Sequence, residues 1–303
     1  ITPDSVIKVN VTKSKFFLEE NYTYELINNA EVLLWVNGIQ KEKLTFIEKG
    51  NYTAKYKPKA GDEIKITAST PQFSMVEGTV TLPLPVTINS LDTTVKKLES
   101  TPMLNYIVDQ FGKEHLDTIG MFLNNQMNFK LNFKDPAGEN YYRLVVKQRK
   151  YFADSSYIDT PFFINSNDLV FGTTDETNIF DEGNFNYYFE FSDEIFNGKS
   201  YGLTFFFNYT LYDYFEPQFP PKVDKPGGYV PYENSELIID LQSISKSYYF
   251  YVKTLKANSS VSEFFSEPVQ IHTNVKGGIG IIGGYTQSVY KMKIPAYLEN
   301  VMY

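Results

Sequence analysis

Residues 127–146 read MNFKLNFKDPAGENYYRLVV, and this stretch decides the fold. Met127, Phe129, Leu131 and Phe133 alternate with Asn128, Lys130, Asn132 and Lys134. A period of two belongs to a strand with one dry face and one wet face. Asp135-Pro136-Ala137-Gly138 then carries the chemistry of a type I turn: Asp accepts local hydrogen bonds, Pro presets φ and Gly ends the reversal. Tyr142, Leu144 and Val146 supply the returning strand. Two half-buried strands joined by a turn must cover their dry face with another layer, so a β-sandwich is predicted here.

The alternation recurs on both sides of this hairpin. Toward the N-terminus, Ile7, Val9 and Val11 alternate with polar residues, as do Val32, Leu34 and Val36. Asn37-Gly38 follows, a pair that tolerates the positive φ of a tight hairpin. Gly50-Asn51-Tyr52 opens a further unit, and Gly61 precedes Ile64, Ile66 and Ala68. This order is similar to immunoglobulin-like or transthyretin-like sandwiches and predicts a β domain over residues 1–85. The two prolines of Thr81-Leu82-Pro83-Leu84-Pro85 would interrupt a central strand and stiffen a connection, which places the boundary there. Residues 86–303 are then a larger β-sandwich domain. Its later strands are predicted at Tyr187–Phe191, Tyr201–Leu211, Leu237–Ser243, Tyr248–Leu255 and Ser288–Ile294. One short helix is predicted from Thr101, as cap, and Pro102, as first helical residue, to Gly112. Met103, Leu104, Ile107, Val108 and Phe111 would form its apolar face, packed on the sandwich.

Composition agrees with an all-β protein. Of 303 residues, 17% are aromatic, with 24 Tyr and 25 Phe, types that suit half-buried pleated surfaces. The net charge of −8, with arginine only at Arg143 and Arg149, makes nucleic acid a poor partner, because phosphate neutralisation needs clustered cations. Cysteine is absent, which excludes disulfides, thiolate nucleophiles and cysteine-ligated metals. No apolar run approaches the roughly 18 to 20 residues that span a bilayer, and Ile1 opens on polar sequence. The expectation is a mature or truncated soluble chain.

Few motifs carry chemistry. Gly278-Ile279-Gly280-Ile281-Ile282-Gly283 has the letters of a dinucleotide-binding loop, but too few residues follow for the helix and second strand that give those glycines their purpose. A bend where backbones approach closely is the better reading. His115 and His272 have no partner at ligand spacing, and no Gly-x-Ser-x-Gly elbow occurs. No metal or cofactor is therefore predicted. Asp175, Glu176, Asp181 and Glu182 form an acidic cluster. It reads first as a solvated loop; as alternatives, its oxygens can hold calcium, and a carboxylate pair about 5 to 10 Å apart can run glycoside hydrolysis. The segment from Tyr209 to Tyr232 is rich in tyrosine and proline. Its rings either close the edge of the core or stand exposed as a ligand-binding platform, with Tyr212, Tyr214, Phe219, Tyr229 and Tyr232 as the candidates for a glycan or peptide. Five Asn-x-Ser/Thr triplets, at Asn10, Asn21, Asn51, Asn208 and Asn258, follow from an Asn-rich composition.

Three landmarks carry a family resemblance. The first is SYYFYVKTLKANSSVSEFFSEPVQIHTNVKGGIGIIGG, residues 247–284, with its Glu267-Pro268 step and Asn274 ahead of the glycine cluster. The others are Asn140-Tyr141-Tyr142-Arg143-Leu144 and Phe191-Ser192-Asp193-Glu194-Ile195-Phe196-Asn197-Gly198-Lys199. In this order they resemble domain-of-unknown-function family 4249, a family of surface-associated Bacteroidota lipoproteins. The chain departs from the family pattern in a longer segment from Leu91 to Leu123 and at Ile282, where an aromatic is common. The resemblance implies a lipid anchor at the outer membrane, on a cysteine upstream of Ile1, and a neighbouring TonB-dependent transporter of the starch-utilisation type as partner. It supplies no catalytic residues. The leading expectation is a non-enzymatic accessory lipoprotein of a nutrient-uptake system. The alternatives are a glycan- or peptide-binding module using the aromatic loop, and a carboxylate-dependent hydrolase.

Overall fold

The computed structural model describes residues 1–14, 25–108, 111–171, 188–214, 234–259 and 270–294. Among them the regular structure is mostly antiparallel strand, as the alternation predicts, with one α-helix. The first seven strands are β1 (Lys8–Asn10), β2 (Glu31–Val36), β3 (Ile39–Lys43), β4 (Thr45–Phe46), β5 (Asn51–Thr53), β6 (Glu63–Ser69) and β7 (Val76–Thr81). Strands β7, β6, β2 and β3 lie side by side, and β1, β5 and β4 form a smaller sheet. Val32, Leu34 and Ile64 from the larger sheet meet Ile7 and Tyr52 from the smaller one in a dry core. Tyr52 is the hinge pin of this core. Its hydroxyl accepts from Ala30 N at 2.9 Å and donates to Ile27 O at 2.8 Å, so the buried phenol has both capacities met. Asn37 and Gly38 turn the β2–β3 hairpin with φ of 51° and 77°, the mirror-image turn that matches strand twist.

The second group comprises β8 (Thr87–Lys97), β9 (Thr101–Val108), β10 (Glu114–Lys134), β11 (Tyr141–Tyr151), β12 (Tyr157–Pro161), β13 (Tyr188–Ser192), β14 (Ser200–Tyr214) and β15 (Asn234–Ile244). Helix α1 (Lys246–Ser259), β16 (Val275–Lys276) and β17 (Tyr285–Lys293) complete the described chain. One sheet runs β14-β10-β8, with β9 also on β10; the other runs β12-β11-β15-β17, with β13 also on β11. Met127, Phe129, Leu131 and Phe133 of β10 face Tyr142, Leu144 and Val146 of β11 and Leu237, Ile239 and Leu241 of β15 across a second core. Strand β16 pairs with β7, Val275 opposite Gly78, so the C-terminal stretch adds a strand to the first sheet.

The segment predicted as a helix from Thr101 is strand β9, hydrogen-bonded to Glu114–Phe122 of β10. Its apolar residues satisfy helical spacing; in the strand they fall on both faces, Met103 and Ile107 on one and Leu104 and Val108 on the other. Gly112, with φ of 77°, turns a hairpin here and does not cap a helix. A neighbouring partner strand decides between two patterns the same residues allow. Leu104, Tyr106, Val108 and Leu116 remain exposed on this ribbon. The reverse correction applies at Tyr248–Leu255, predicted as a strand and found within α1. Ser245 caps it: its Oγ accepts from Tyr248 N and its carbonyl from Tyr249 N at 3.0 Å. Tyr249 buries its ring against Tyr141, centroids 4.5 Å apart, and Lys256 ties the far end to the buried Glu190 at 2.5 Å. Tertiary packing of one aromatic stripe thus overrides the strand preference of its tyrosines. The strands predicted at Tyr201–Leu211, Leu237–Ser243 and Ser288–Ile294 fall on β14, β15 and β17, and the one at Tyr187–Phe191 falls on β13 with Tyr187 outside the described residues.

Candidate ligand-binding face

The family landmarks have structural work. Asn140 donates from Nδ2 to Pro136 O at 2.9 Å, Gly138 O at 3.0 Å and Asp193 Oδ2 at 3.2 Å, locking the 135–138 turn to the 193–199 turn. Asp135 is 1% exposed and accepts from Tyr142 Oη at 2.5 Å and Gly198 N at 2.6 Å. Burial raises its carboxyl above the usual range, and the Tyr142 hydroxyl and Gly198 amide oppose that shift. Phe196, 2% exposed, plugs the clasp, stacked on Tyr201 at 4.2 Å and edge-on to Phe133 at 5.7 Å.

The residue 247–284 landmark ties the C-terminal stretch to the first sheet. Asn274 donates to Thr79 O at 3.1 Å and Ile282 O at 2.9 Å and accepts from Ile282 N at 2.8 Å. Ile282 lies so close to Gly78 that a Cβ there would meet Cδ1 at 2.7 Å. Gly277 has φ of 76° beside Met75 O, and Gly283 lies against the Tyr248 ring. The glycines between β16 and β17 therefore allow close approach to Met75 and Val76, Leu82 and Tyr248, and among the described residues β17, not a helix, follows them.

The predicted site residues are scattered. Tyr212 and Tyr214 stand on β14 in register with Phe122 and Gly120, whereas Phe219, Tyr229 and Tyr232 lie outside the described residues. Tyr209, which opens the aromatic segment, is buried beside Phe207. Asp175, Glu176, Asp181 and Glu182 also lie outside the described residues. His115 is exposed on β10 opposite Ile107, and the His272 ring packs near Phe250 at 5.9 Å. Among the described residues, no three His, Asp or Glu side chains gather as a metal site.

Two further buried carboxylates hold structure. Asp168 accepts from Tyr201 Oη at 2.5 Å, from Thr204 N at 2.8 Å and from Thr204 Oγ1 at 3.0 Å, which pins residues 165–168 along the edge of β14. Asp240, 5% exposed on β15, accepts from Gln242 Nε2 at 2.6 Å. Burial pushes its carboxyl up, against the pull of Lys147 and Arg143. Gln242 in turn accepts from Arg143 Nε at 2.8 Å, and Arg143 donates to Tyr248 Oη at 2.6 Å. This chain of bonds ties the sheet to α1.

Among the described residues, buried polar atoms of Gln148, Ser235, Asp240, Ser243 and Thr286 lack a partner within the β11-β15-β17 sheet, and solvent-facing capacity is found on the outer face of the other sheet. Along β10 the residues between the buried ones are Gln126, Asn128, Lys130 and Asn132. They stand in register with Lys96, Thr94, Asp92 and Ser90 on β8 and with Asn208, Phe206, Thr204 and Gly202 on β14. A trough of about 390 Å³ runs across these three strands, walled by Asn167 from the pinned segment. Asn165 fixes that wall, exchanging backbone bonds with Phe206 at 2.7 and 2.8 Å. Gly202 is bare because the Lys130 stem crosses it, with Cε 2.3 Å from where a Cβ would stand. Asn132 bridges Ser90 at 2.9 Å and Asp92 Oδ2 at 2.8 Å. Asp92 Oδ1, Asn128 Oδ1, the Thr94 hydroxyl, the Lys130 ammonium and the Asn167 amide make no hydrogen bond with another described residue.

Sequence reasoning recorded this face only as the wet half of an alternation. The signal within it was compositional: amides at Asn124, Gln126, Asn128 and Asn132, on a strand type whose solvent face usually carries Lys, Glu and Thr.

Comparison with known proteins places the chain. No curated protein and no solved structure matches it. A family model described as Domain of unknown function (DUF4249) matches residues 1–291, and the protein belongs to that family.

Proposed function

We propose that the protein is a non-enzymatic accessory lipoprotein of a TonB-dependent outer-membrane nutrient-uptake system, and that it holds cargo on a rigid sheet surface. The supporting observation is how its polar residues are used. The family landmarks close turns and a backbone junction, the buried carboxylates Asp135 and Asp193 clasp those turns, and Asp168 pins residues 165–168 to β14. On the surface, side chains with hydrogen-bonding capacity left over line the trough on β8, β10 and β14. A preformed concavity on a hydrogen-bonded sheet, mostly apolar in its exposed lining and edged by polar side chains, suits binding, because those side chains need little ordering when a ligand arrives. The membrane anchor and the transporter partner come from the family resemblance. Affinity purification of the tagged, lipidated full-length protein from its native host tests them. The expected result is repeated recovery of a TonB-dependent transporter, and repeated recovery of the protein alone, from the same detergent extracts, refutes the association.

A further inference from the structure

We propose that the trough binds a neutral oligosaccharide laid across β8, β10 and β14. The inference rests on the trough being the cargo surface, and it is independent of the transporter association.

The first argument is the balance of charge. One carboxylate, Asp92, and one ammonium, Lys130, stand in register on adjacent strands, and the remaining polar lining is amide and hydroxyl. A site of this kind offers a phosphate or sulfate no net attraction, and the chain as a whole carries −8. An uncharged ligand suits it. The second argument is the mixture of donors and acceptors. Asp92 Oδ1 and Asn128 Oδ1 accept, Lys130 donates, and the Thr94 hydroxyl and Asn167 amide do both. A sugar hydroxyl is itself donor and acceptor, so it needs both kinds of partner close together. The sheet provides them at intervals of about 4.8 Å between strands and about 7 Å along a strand, the scale of one sugar ring.

The third argument is the single ring. Phe206 is half-buried, lines the trough and is held by its backbone exchange with Asn165. The negative face of an aromatic ring attracts the weakly positive C–H groups on the flat side of a pyranose. One such platform in a mostly apolar trough edged by polar side chains fits the alternating C–H and hydroxyl faces of a saccharide better than a peptide. An extended peptide uses a free strand edge and alternating apolar pockets, whereas the trough lies on a sheet face.

The test is calorimetric titration of the purified protein with uncharged oligosaccharides from glucans, mannans, xylans and galactans, beside sulfated or uronic oligosaccharides and a set of peptides. The expected result is binding by at least one neutral oligosaccharide, weakened about fivefold or more by Asp92→Ala and by Asn128→Ala, each removing one hydrogen-bond partner. Both side chains are at the surface and outside the core, so the variants should fold, which circular dichroism checks. Phe206→Leu should also weaken binding, while Lys246→Ala, remote from the trough, should leave it unchanged. Failure of every neutral oligosaccharide to bind overturns the proposal, as does binding indifferent to Asp92→Ala and Asn128→Ala. A charged oligosaccharide or peptide lost in those variants overturns the ligand class while the trough remains the cargo surface.

Discussion

Replacing Asn274 by Ala should loosen the junction between the C-terminal strand and the first sheet. The side chain makes three hydrogen bonds, to Thr79 O, Ile282 O and Ile282 N, at 3.1, 2.9 and 2.8 Å. At about 1 kcal/mol net for each, and with water replacing the exposed bond to Thr79, the loss is about 2 kcal/mol. That is a ~30-fold rise in local opening. It should appear first at the Ile282 amide and at the Val275–Gly78 pair of β16 and β7. Hydrogen exchange resolves this site by site, a better measure than one global midpoint for a chain with two cores. Trp35, the only tryptophan, sits on β2 and gives a second readout, because its fluorescence reports the first sheet alone. Amides of β11 and β15 in the other core should keep their protection. Unchanged exchange at Ile282, or a loss below about 0.5 kcal/mol, would show that Asn274 does not hold the junction.

Tyr142→Phe removes one oxygen and leaves the ring in place, so its cost isolates the bond to Asp135; we expect about 1.5–3 kcal/mol, the range for a bond to a charged group. A double-mutant cycle in chemical denaturation should show this cost shrinking in the Asp135→Asn background, and full additivity would deny the coupling. For Asp240, the folded carboxyl titrates above its unfolded value of about 3.9, so the folded state binds the proton more tightly. Its contribution to stability is therefore greatest below the unfolded pKa, falls as pH rises toward the folded one, and is then level. Asp240→Asn removes this dependence. The stability of the variant relative to the natural protein should increase between acid and neutral pH, measured by denaturation at several pH values, and a difference constant with pH would contradict the burial argument.

The fold was legible where one face is dry. Phe129, Leu131 and Phe133 can be covered only by a second layer, and the alternation that buries them also aims Asn128, Lys130 and Asn132 outward. The two misread segments fail for a common reason. Thr101–Val108 and Lys246–Ser259 each carry apolar and aromatic residues compatible with a strand or a helix, and the choice comes from tertiary partners: the adjacent strand β10 for the first, the distant Tyr141 and Glu190 for the second. Local signals for the helix were present in Ser245 as a cap and in Lys253 over the Tyr249 ring at 5.2 Å, one helical turn away. The trough was not legible as a site. Its members come from β8, β10, β14 and the 165–168 segment, and only register brings Asp92, Asn128 and Thr204 together. The aromatic and acidic loops drew attention because their residues cluster in sequence, which binding sites on sheet faces need not do.

The β8–β10–β14 face is the proposed place where the protein meets its ligand. The most direct measurement is the backbone-amide exchange footprint of the neutral oligosaccharide that binds most tightly. The account predicts added protection at residues 92–94, 126–130 and 204–206. Protection confined to residues 175–182 or 212–232, or no protection at all, would contradict it.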